Sequence, residues 1–222
     1  FAKFFAPIAL FIMGLGASNP FVIARRKGDW VAPLPKMTAY LEEMEQVQLI
    51  SPKPAQLAPL CIAAHAPGLQ KLAVKHAQGM VTWMIPSGII TEARERVGPD
   101  FDITAQILCV LTTDAEEARA VARAYLAMYI ALPYYQAAFA KCGFDESDWT
   151  NGNSDRLIDA LTAWGTNEQI LARVEEFAAA GADRVVLNVV REDETQRGEG
   201  KPPVIIGDWV GIDGLAAILP GK

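Results

Sequence analysis

The chain has few of the residues on which metal and disulfide chemistry depend. Its 222 residues include two histidines, His65 and His76, and three cysteines, none of them in a CxxC pair. Zinc sites typically need several His or Cys ligands at short spacing, so we expect no metal site. Three cysteines far apart in the sequence indicate reduced thiols in a cytoplasmic protein rather than a disulfide framework.

Positive charge is also scarce. The sequence has 20 Lys and Arg residues against 26 Asp and Glu residues, which gives a net charge of −6 and a pI near 5.0. Proteins that bind nucleic-acid backbones or anionic membrane surfaces usually carry a basic surplus. We therefore expect neither a nucleic acid nor a membrane as a partner.

No hydrophobic run has the features of a membrane helix or a secretion signal. Residues 1–17 are strongly apolar, but they are fewer than the roughly 20 that span a bilayer, and Pro7 interrupts them. Lys3 is a weak basic start for a signal peptide. We interpret residues 10–15 as a strand preceded by a loop or a helix end. Because the chain begins with Phe1 rather than Met, we expect sequence to be missing upstream.

The strongest local pattern lies in residues 155–190, which predict a helix, a sharp break, a second helix and a strand. Thr166 is a preferred N-cap, and Gln169 completes a capping box. Gly181 is placed to end the second helix as a left-handed C-cap. The β-branched run at residues 185–190 then predicts a strand that is apolar on both faces, as in a parallel sheet covered by helices.

Strands and helices alternate along the rest of the chain, which predicts parallel βαβ units and an α/β fold in a single domain over residues 1–222. A full (β/α)8 barrel takes about 250 residues, so five predicted strands fit either the last five units of a barrel or an open doubly wound sheet. The other strands are predicted at residues 10–16, 60–64, 80–85 and 101–111, the other helices at residues 35–50, 69–78, 89–97, 114–127 and 134–141, loops at residues 51–59, 143–153 and 191–203, and a closing helix or turn at residues 209–219.

The first candidate site follows the first predicted strand, in the sequence GLGASN at residues 14–19. Ligands of α/β folds bind at the carboxyl ends of the strands. Small residues at such an end would let a flat ring approach the backbone. The alternative is a tight turn that needs glycine for its conformation.

The second candidate site is the turn at residues 64–66, between a predicted strand and a predicted helix. Small residues at a helix N-terminus expose backbone N–H groups and the positive end of the helix dipole, which favours an anion such as phosphate. His65 could donate to that phosphate or contact a ring. The alternative is an ordinary strand-to-helix turn.

Other candidates are weaker. Trp83, Tyr134 and Trp164 could line a pocket, although packing is the more common role of such side chains. Residues 25–27, RRK, could steer an anion or simply form a solvated loop. The sequence has no Walker loop, GxSxG or HExxH motif, so the catalytic residues stay unknown and any chemistry is expected from a bound cofactor.

Several short stretches, taken in order, resemble the luciferase-like monooxygenase superfamily, specifically its branch of flavin- or coenzyme F420-dependent oxidoreductases. The resemblance covers most of residues 9–190. The matching stretches are FIMGLGAS at residues 11–18, CIAA and APG at residues 61–64 and 66–68, LA and AQG at residues 72–73 and 77–79, LPYY and CGF at residues 132–135 and 142–144, and AWGT and AGAD at residues 163–166 and 180–183.

The resemblance implies a (β/α)8 TIM barrel of the bacterial-luciferase type, of which the last five βα units are visible. It implies coenzyme F420 or FMN as the cofactor, a small-molecule substrate and a homodimer. Trp83 and Tyr134 would be outer pocket walls. The resemblance also implies a set of cofactor-binding residues, with Gly16, Ala17, Ser18 and Asn19 near the ring and Ala64, His65 and Ala66 at the phosphate.

Two departures from the family pattern bear on function. The family's first three strands have no counterpart in this sequence, and His65 stands where the family has glycine or another small residue. The resemblance predicts an oxidoreductase or monooxygenase that transfers hydride between a (deaza)flavin and a small organic substrate. The alternatives are a non-catalytic flavin-binding barrel remnant and an unrelated α/β-barrel lyase or isomerase for phosphorylated substrates. The latter needs a lysine or carboxylate at a strand's carboxyl end, where we find no lysine.

Overall fold

The computed structural model has an α/β fold and describes residues 11–48, 50, 57–196, 198 and 202–216. The strands found in these residues are β1 (Met13–Leu15), β2 (Leu60–Ala63), β3 (Gly79–Trp83), β4 (Asp102–Val110), β5 (Thr162–Trp164), β6 (Arg184–Glu192) and β7 (Ile205–Gly207). The helices are α1 (Pro20–Arg25), α2 (Pro33–Gln46), α3 (Pro67–His76), α4 (Ser87–Val97), α5 (Ala115–Ile130), α6 (Pro133–Lys141), α7 (Glu146–Trp149), α8 (Asp155–Leu161), α9 (Asn167–Ala179) and α10 (Trp209–Ala216).

Packing divides the chain into two compact units. The first unit comprises residues 1–81 and 96–102, and the second comprises residues 82–95 and 103–222. The expected single domain over residues 1–222 stays a prediction.

The first unit is built on a parallel sheet in the order β1, β2, β3. Leu15 pairs with Ile62, and Cys61 pairs with Gly79. β2 is buried along most of its length, as its apolar sequence predicts. Gln78 fixes the amino end of β2, because its side-chain oxygen accepts a hydrogen bond of 2.9 Å from the N–H of Leu60.

Two helices of the first unit differ from the prediction. A short helix, α1, begins at Pro20 directly after the first candidate turn, and we did not predict it from the sequence. Helix α2 begins at Pro33 and ends at Gln46, earlier than the predicted span of 35–50, and buries Met37 and Leu41. Proline is favoured in the first turn of a helix, which explains both starting points.

The second unit is organised around β4. β4 pairs in parallel with both β5 and β6, and β6 pairs with β7 in an antiparallel arrangement. β5 and β7 are missing from the prediction, so the count of five strands was wrong. Three residues are too few for a periodic pattern, and β5 lies in the break that we predicted between two helices.

Helix α9 has the predicted boundaries. Thr166 and Gln169 form the capping box, and Gly181 follows the helix with a φ of +109°. The side chain of Arg94 occupies the space of a Cβ at Gly181 and donates hydrogen bonds of 3.0 and 2.8 Å to its carbonyl oxygen. Glycine is therefore required there by conformation and by close approach.

Asp183 holds the start of the ladder between β4 and β6. Its carboxylate oxygen Oδ2 accepts a hydrogen bond of 2.7 Å from the N–H of Ile103 and lies 2.6 Å from Nη2 of Arg94. The N–H of Asp183 donates in return to the carbonyl oxygen of Ile103, at 2.9 Å.

The prediction that residues 185–190 are buried on both faces is wrong. β6 buries Val189 and Val190, whereas Val185 and Leu187 are half-buried and Val186 is 42% exposed. A β-branched run favours an extended strand, but the neighbouring elements decide which of its faces is covered.

The predicted loops contain some regular structure. α7 lies within residues 143–153, and in residues 191–203 β6 extends to Glu192 before a 3-10 turn at Glu194–Gln196. The apolar residues 1–10, residues 51–56 and residues 217–219 lie outside the described residues. No helix in the described ranges is long and apolar enough to cross a membrane.

Candidate functional site

The two candidate turns lie side by side in the first unit. Leu15 pairs with Ile62 in the parallel ladder, so the residues that follow β1 run beside those that follow β2. A Cβ added to Gly16 would lie 3.2 Å from the Cβ of Ala63. The small side chains predicted at both strand ends therefore meet at one edge of the sheet.

The first turn, residues 16–19, leads into α1, and the side chain of Asn19 caps that helix. Ser18 has a φ of +68°, which bends the chain away from β1. The Oδ1 atom of Asn19 accepts a hydrogen bond of 2.9 Å from the N–H of Val22 and so caps α1. Gly16 and Ser18 are exposed, whereas Ala17 is buried. The Oδ1 atom of Asn19 is therefore already occupied by the cap of α1.

Lys36 reaches the first turn from α2. Its Nζ atom donates a hydrogen bond of 3.1 Å to the carbonyl oxygen of Ala17. We expected no lysine at a strand's carboxyl end, and that prediction is wrong for β1. Lys36 lies 17 residues or more from either turn in sequence, so no local motif could have identified it.

The second turn, residues 64–66, is open at the start of α3. Ala64 is buried, and its N–H donates to the carbonyl oxygen of Val81 at 3.1 Å. Ala66 is the N-cap of α3 and offers no side-chain cap, and Pro67 at the first helical position has no N–H. The first N–H groups of a helix lack intrahelical partners, so Ala66, Gly68 and Leu69 present donors to a ligand.

Those donors form an arrangement suited to an anion. Ala66 is exposed, and within the described part of the chain its N–H has no acceptor. The positive end of the α3 dipole adds to the attraction. Leu34 on α2 lies against Gly68, where an added Cβ would be 3.0 Å from its Cδ2, so apolar contact covers one side of the turn.

His65 contributes no positive charge to this turn near neutral pH. The residue is half-buried, and desolvation lowers the pKa of its imidazole from 6.5 to about 4. A neutral imidazole can still donate one hydrogen bond. The backbone carbonyl of His65 accepts a hydrogen bond of 3.1 Å from Nε2 of Gln70.

The second unit contains the aromatic candidates, and their contacts are those of packing. The ring of Trp83 lies 6.1 Å from that of Tyr129, and Tyr134, 38% exposed, lies 5.1 Å from Tyr135. Trp164 donates from its indole nitrogen to Asp159 at 3.0 Å. The proposed wall roles of Trp83 and Tyr134 stay predictions.

The remaining sequence candidates also have defined places. Arg25 ends α1, and Lys27, two residues further on, has a φ of +56°; both residues are exposed. Only 6% of the His76 side chain is exposed, and its Nδ1 lies 2.7 Å from Oε1 of Glu45. In the described ranges no three His, Cys, Asp or Glu side chains are grouped to hold a metal ion.

The family model for luciferase-like monooxygenases matches residues 11–184, and the chain therefore belongs to that family. No curated protein sequence matches the chain. The coenzyme F420-dependent tetrahydromethanopterin reductase from Methanopyrus kandleri is similar in structure, with a TM-score of 0.60 and 14% identity. An F420-dependent secondary alcohol dehydrogenase in complex with an F420-acetone adduct has a TM-score of 0.57 and 15% identity.

These matches confirm the predicted fold class, an α/β fold of the bacterial-luciferase barrel type that is present in part. The alignment covers 80% of this chain and 67% of the reductase. It covers 79% of this chain and 62% of the alcohol dehydrogenase, so the chain spans less than two thirds of the latter's length.

Proposed function

We propose that the chain binds a (deaza)flavin, coenzyme F420 or FMN, and belongs to an oxidoreductase that acts on a small organic substrate. The observation that supports this most directly is the pair of adjacent turns at the carboxyl ends of β1 and β2. One turn consists of small residues, and the other ends at the uncapped start of α3. A planar ring and an attached phosphate are complementary to that pair.

Each turn has a distinct task in this proposal. Gly16, Ala17, Ser18 and Asn19 lie near the ring, where the exposed Gly16 allows a flat group to approach the backbone. Ala64, His65 and Ala66 receive the phosphate, chiefly through the Ala66 N–H and the first N–H groups of α3. Lys36 adds a positive charge beside the first turn.

The cofactor, when bound, supplies hydride transfer to or from the substrate. The chain supplies binding, orientation and the exclusion of water by residues such as Leu34. Two structural relatives are described as F420-dependent, which favours F420, and the monooxygenase family name keeps FMN as the second choice. Membership in this family argues against the lyase or isomerase alternative.

A second candidate function is flavin binding without catalysis. It is favoured by the chemistry of the two turns, whose seven proposed ligand residues include a single ionisable side chain, His65. The pKa of His65 is lowered to about 4 by burial, so at neutral pH the ring is already deprotonated and has no acidic proton to give to a substrate. Bound cofactor without turnover would support this second function.

The decisive experiment is a titration of the purified protein with coenzyme F420 and with FMN, followed by absorbance and fluorescence, alongside intact mass. We expect saturable binding of one cofactor, tighter than that of its phosphate-free analogue. Absence of binding to either, in a folded protein, contradicts both functions.

We also propose a homodimer in the cytoplasm with no nucleic-acid partner. Light scattering coupled to size-exclusion chromatography measures the oligomeric state directly. A mass of one chain at micromolar concentration would contradict the dimer.

A further inference from the structure

Gln70 is a buried polar residue on α3 whose amide is bonded at both ends. It is 1% exposed. Its Nε2 atom donates to the carbonyl oxygen of His65 at 3.1 Å, and its Oε1 atom accepts from Nη1 of Arg96. Burying an amide without partners costs free energy. The two hydrogen bonds of Gln70 offset that cost and hold its side chain in one orientation.

Arg96 fixes which way the amide faces. The oxygen and nitrogen of a glutamine amide are often interchangeable in a structure. A guanidinium has donors and no acceptor, so the atom that faces Arg96 must be the oxygen. The NH2 group of Gln70 then faces the carbonyl oxygen of His65, which accepts its hydrogen bond.

The direction of that carbonyl determines the direction of a phosphate donor. In a planar trans peptide the C=O of one residue and the N–H of the next point in opposite directions. When the carbonyl of His65 faces Gln70, the N–H of Ala66 faces away from it. The main-chain N–H of Gln70 also donates to the carbonyl of Ala66, at 3.1 Å, so Gln70 holds the peptide groups on both sides of Ala66.

We propose that Gln70, oriented by Arg96, is a positioning residue that aims the Ala66 N–H at the phosphate of the cofactor and so selects phosphate-bearing cofactors. This inference rests on the proposed function. In this inference Gln70 does not contact the ligand. We therefore expect its substitution to change the contribution of the phosphate to binding affinity and to leave the contribution of the ring unchanged.

The test compares the dissociation constants of FMN and riboflavin, which differ only in the phosphate. The ratio of the riboflavin constant to the FMN constant measures the contribution of the phosphate. Gln70→Glu keeps the size and the acceptor for Arg96, but it places a carboxylate oxygen against the carbonyl of His65. We expect the ratio to fall about tenfold, the size of one hydrogen bond to a charged group, with riboflavin affinity unchanged. F420 and its phosphate-free deazaflavin give the same comparison.

Gln136→Glu is the matched control. Gln136 also donates from Nε2 to a main-chain carbonyl, that of Ile130, at 3.0 Å, but it lies in the second unit. We expect its ratio to equal that of the wild type. Arg96→Leu removes the group that orients the amide, and we expect it to lower the ratio less than Gln70→Glu does. If the Gln70→Glu protein does not fold, Arg96→Leu serves as the test variant.

The outcomes separate this inference from the proposed function. A wild-type ratio near one contradicts the phosphate turn and the inference together. A high wild-type ratio that Gln70→Glu and Arg96→Leu leave unchanged overturns the inference alone. Equal losses of FMN and riboflavin affinity mean a merely structural role, and they overturn it as well.

Discussion

Two helices of the first unit begin directly after neighbouring strands, both with proline in the first turn, and they differ in the residue before the proline. Asn19 precedes α1, and its side chain accepts a hydrogen bond from Val22. Ala66 precedes α3 and has no side chain that could do so. A side chain satisfies a donor at the start of the first helix, and no side chain does so at the start of the second.

The difference separates a structural turn from a binding turn. Replacing a good N-cap by alanine typically costs about 1 kcal/mol, so the start of α3 carries a cost that α1 avoids. Local departures of this kind are expected at functional sites. An anion that binds the N–H groups of α3 would satisfy the donors that Ala66 leaves open.

The largest expected effect follows from closing the second turn. Ala66→Asp places a carboxylate at the cap of α3, where it satisfies the open donors and repels a phosphate. We expect the dissociation constant of FMN or F420 to rise about tenfold or more, while the unliganded protein becomes more stable by about 1 kcal/mol. Titration and urea denaturation measure the two quantities.

Ala66→Asn is the control for that substitution, because it caps α3 without a charge. We expect a smaller loss of affinity than with aspartate and a similar gain in stability. Unchanged affinity in a folded Ala66→Asp protein would sink the assignment of the phosphate turn.

The reverse change opens the first turn. Asn19→Ala removes the cap of α1, and we expect the free energy of unfolding to fall by about 1 kcal/mol. The ratio of riboflavin to FMN affinity should stay at its wild-type value, because the phosphate is assigned to the other turn. A lowered ratio would mean that both turns bind the phosphate.

A smaller effect is expected from the lysine beside the first turn. Lys36→Met removes a half-buried charge and the bond to Ala17, and we expect FMN affinity at low salt to fall about threefold, because such charges are screened. Lys27→Met, at an exposed lysine of the same unit, is the control. If both variants behave alike, Lys36 has no special position.

A pH dependence of stability is expected at the second turn and not at the first, since residues 16–19 contain no titratable side chain. The pKa of His65 is lowered from 6.5 to about 4, so between these values the unfolded chain binds a proton that the folded chain does not. The contribution of His65 to stability is therefore full above pH 6.5 and is lost as the pH falls towards 4. Urea denaturation of the wild type and of His65→Gln between pH 7 and pH 4 measures this contribution. We expect the free energy of unfolding of His65→Gln to fall less over that range.

The sequence was sufficient for helix α9, whose boundaries depend on neighbouring residues. Thr166, Gln169 and Gly181 act locally, through caps and a positive φ, and their helix has the predicted boundaries. The second turn was recognised for the same reason, because small residues between an apolar strand and a helix define it within a few positions.

Features that depend on distant residues could not be predicted. The exposure of Val186 depends on what covers β6, and the place of Lys36 depends on how α2 packs. Gln70 appeared as an ordinary polar residue in a helix, because its partner Arg96 is 26 positions away. A single sequence contains no signal for such pairs.

The contacts of Asp183 have a consequence for how the second unit folds. Strands β4 and β6 are both rich in β-branched residues, so they could also pair one residue out of step, which would turn every side chain of β6 to the opposite face. Only in the observed alignment does the carboxylate of Asp183 meet both the Ile103 N–H and Arg94. One acidic residue at the edge of the ladder thereby favours the observed register over one shifted by a residue.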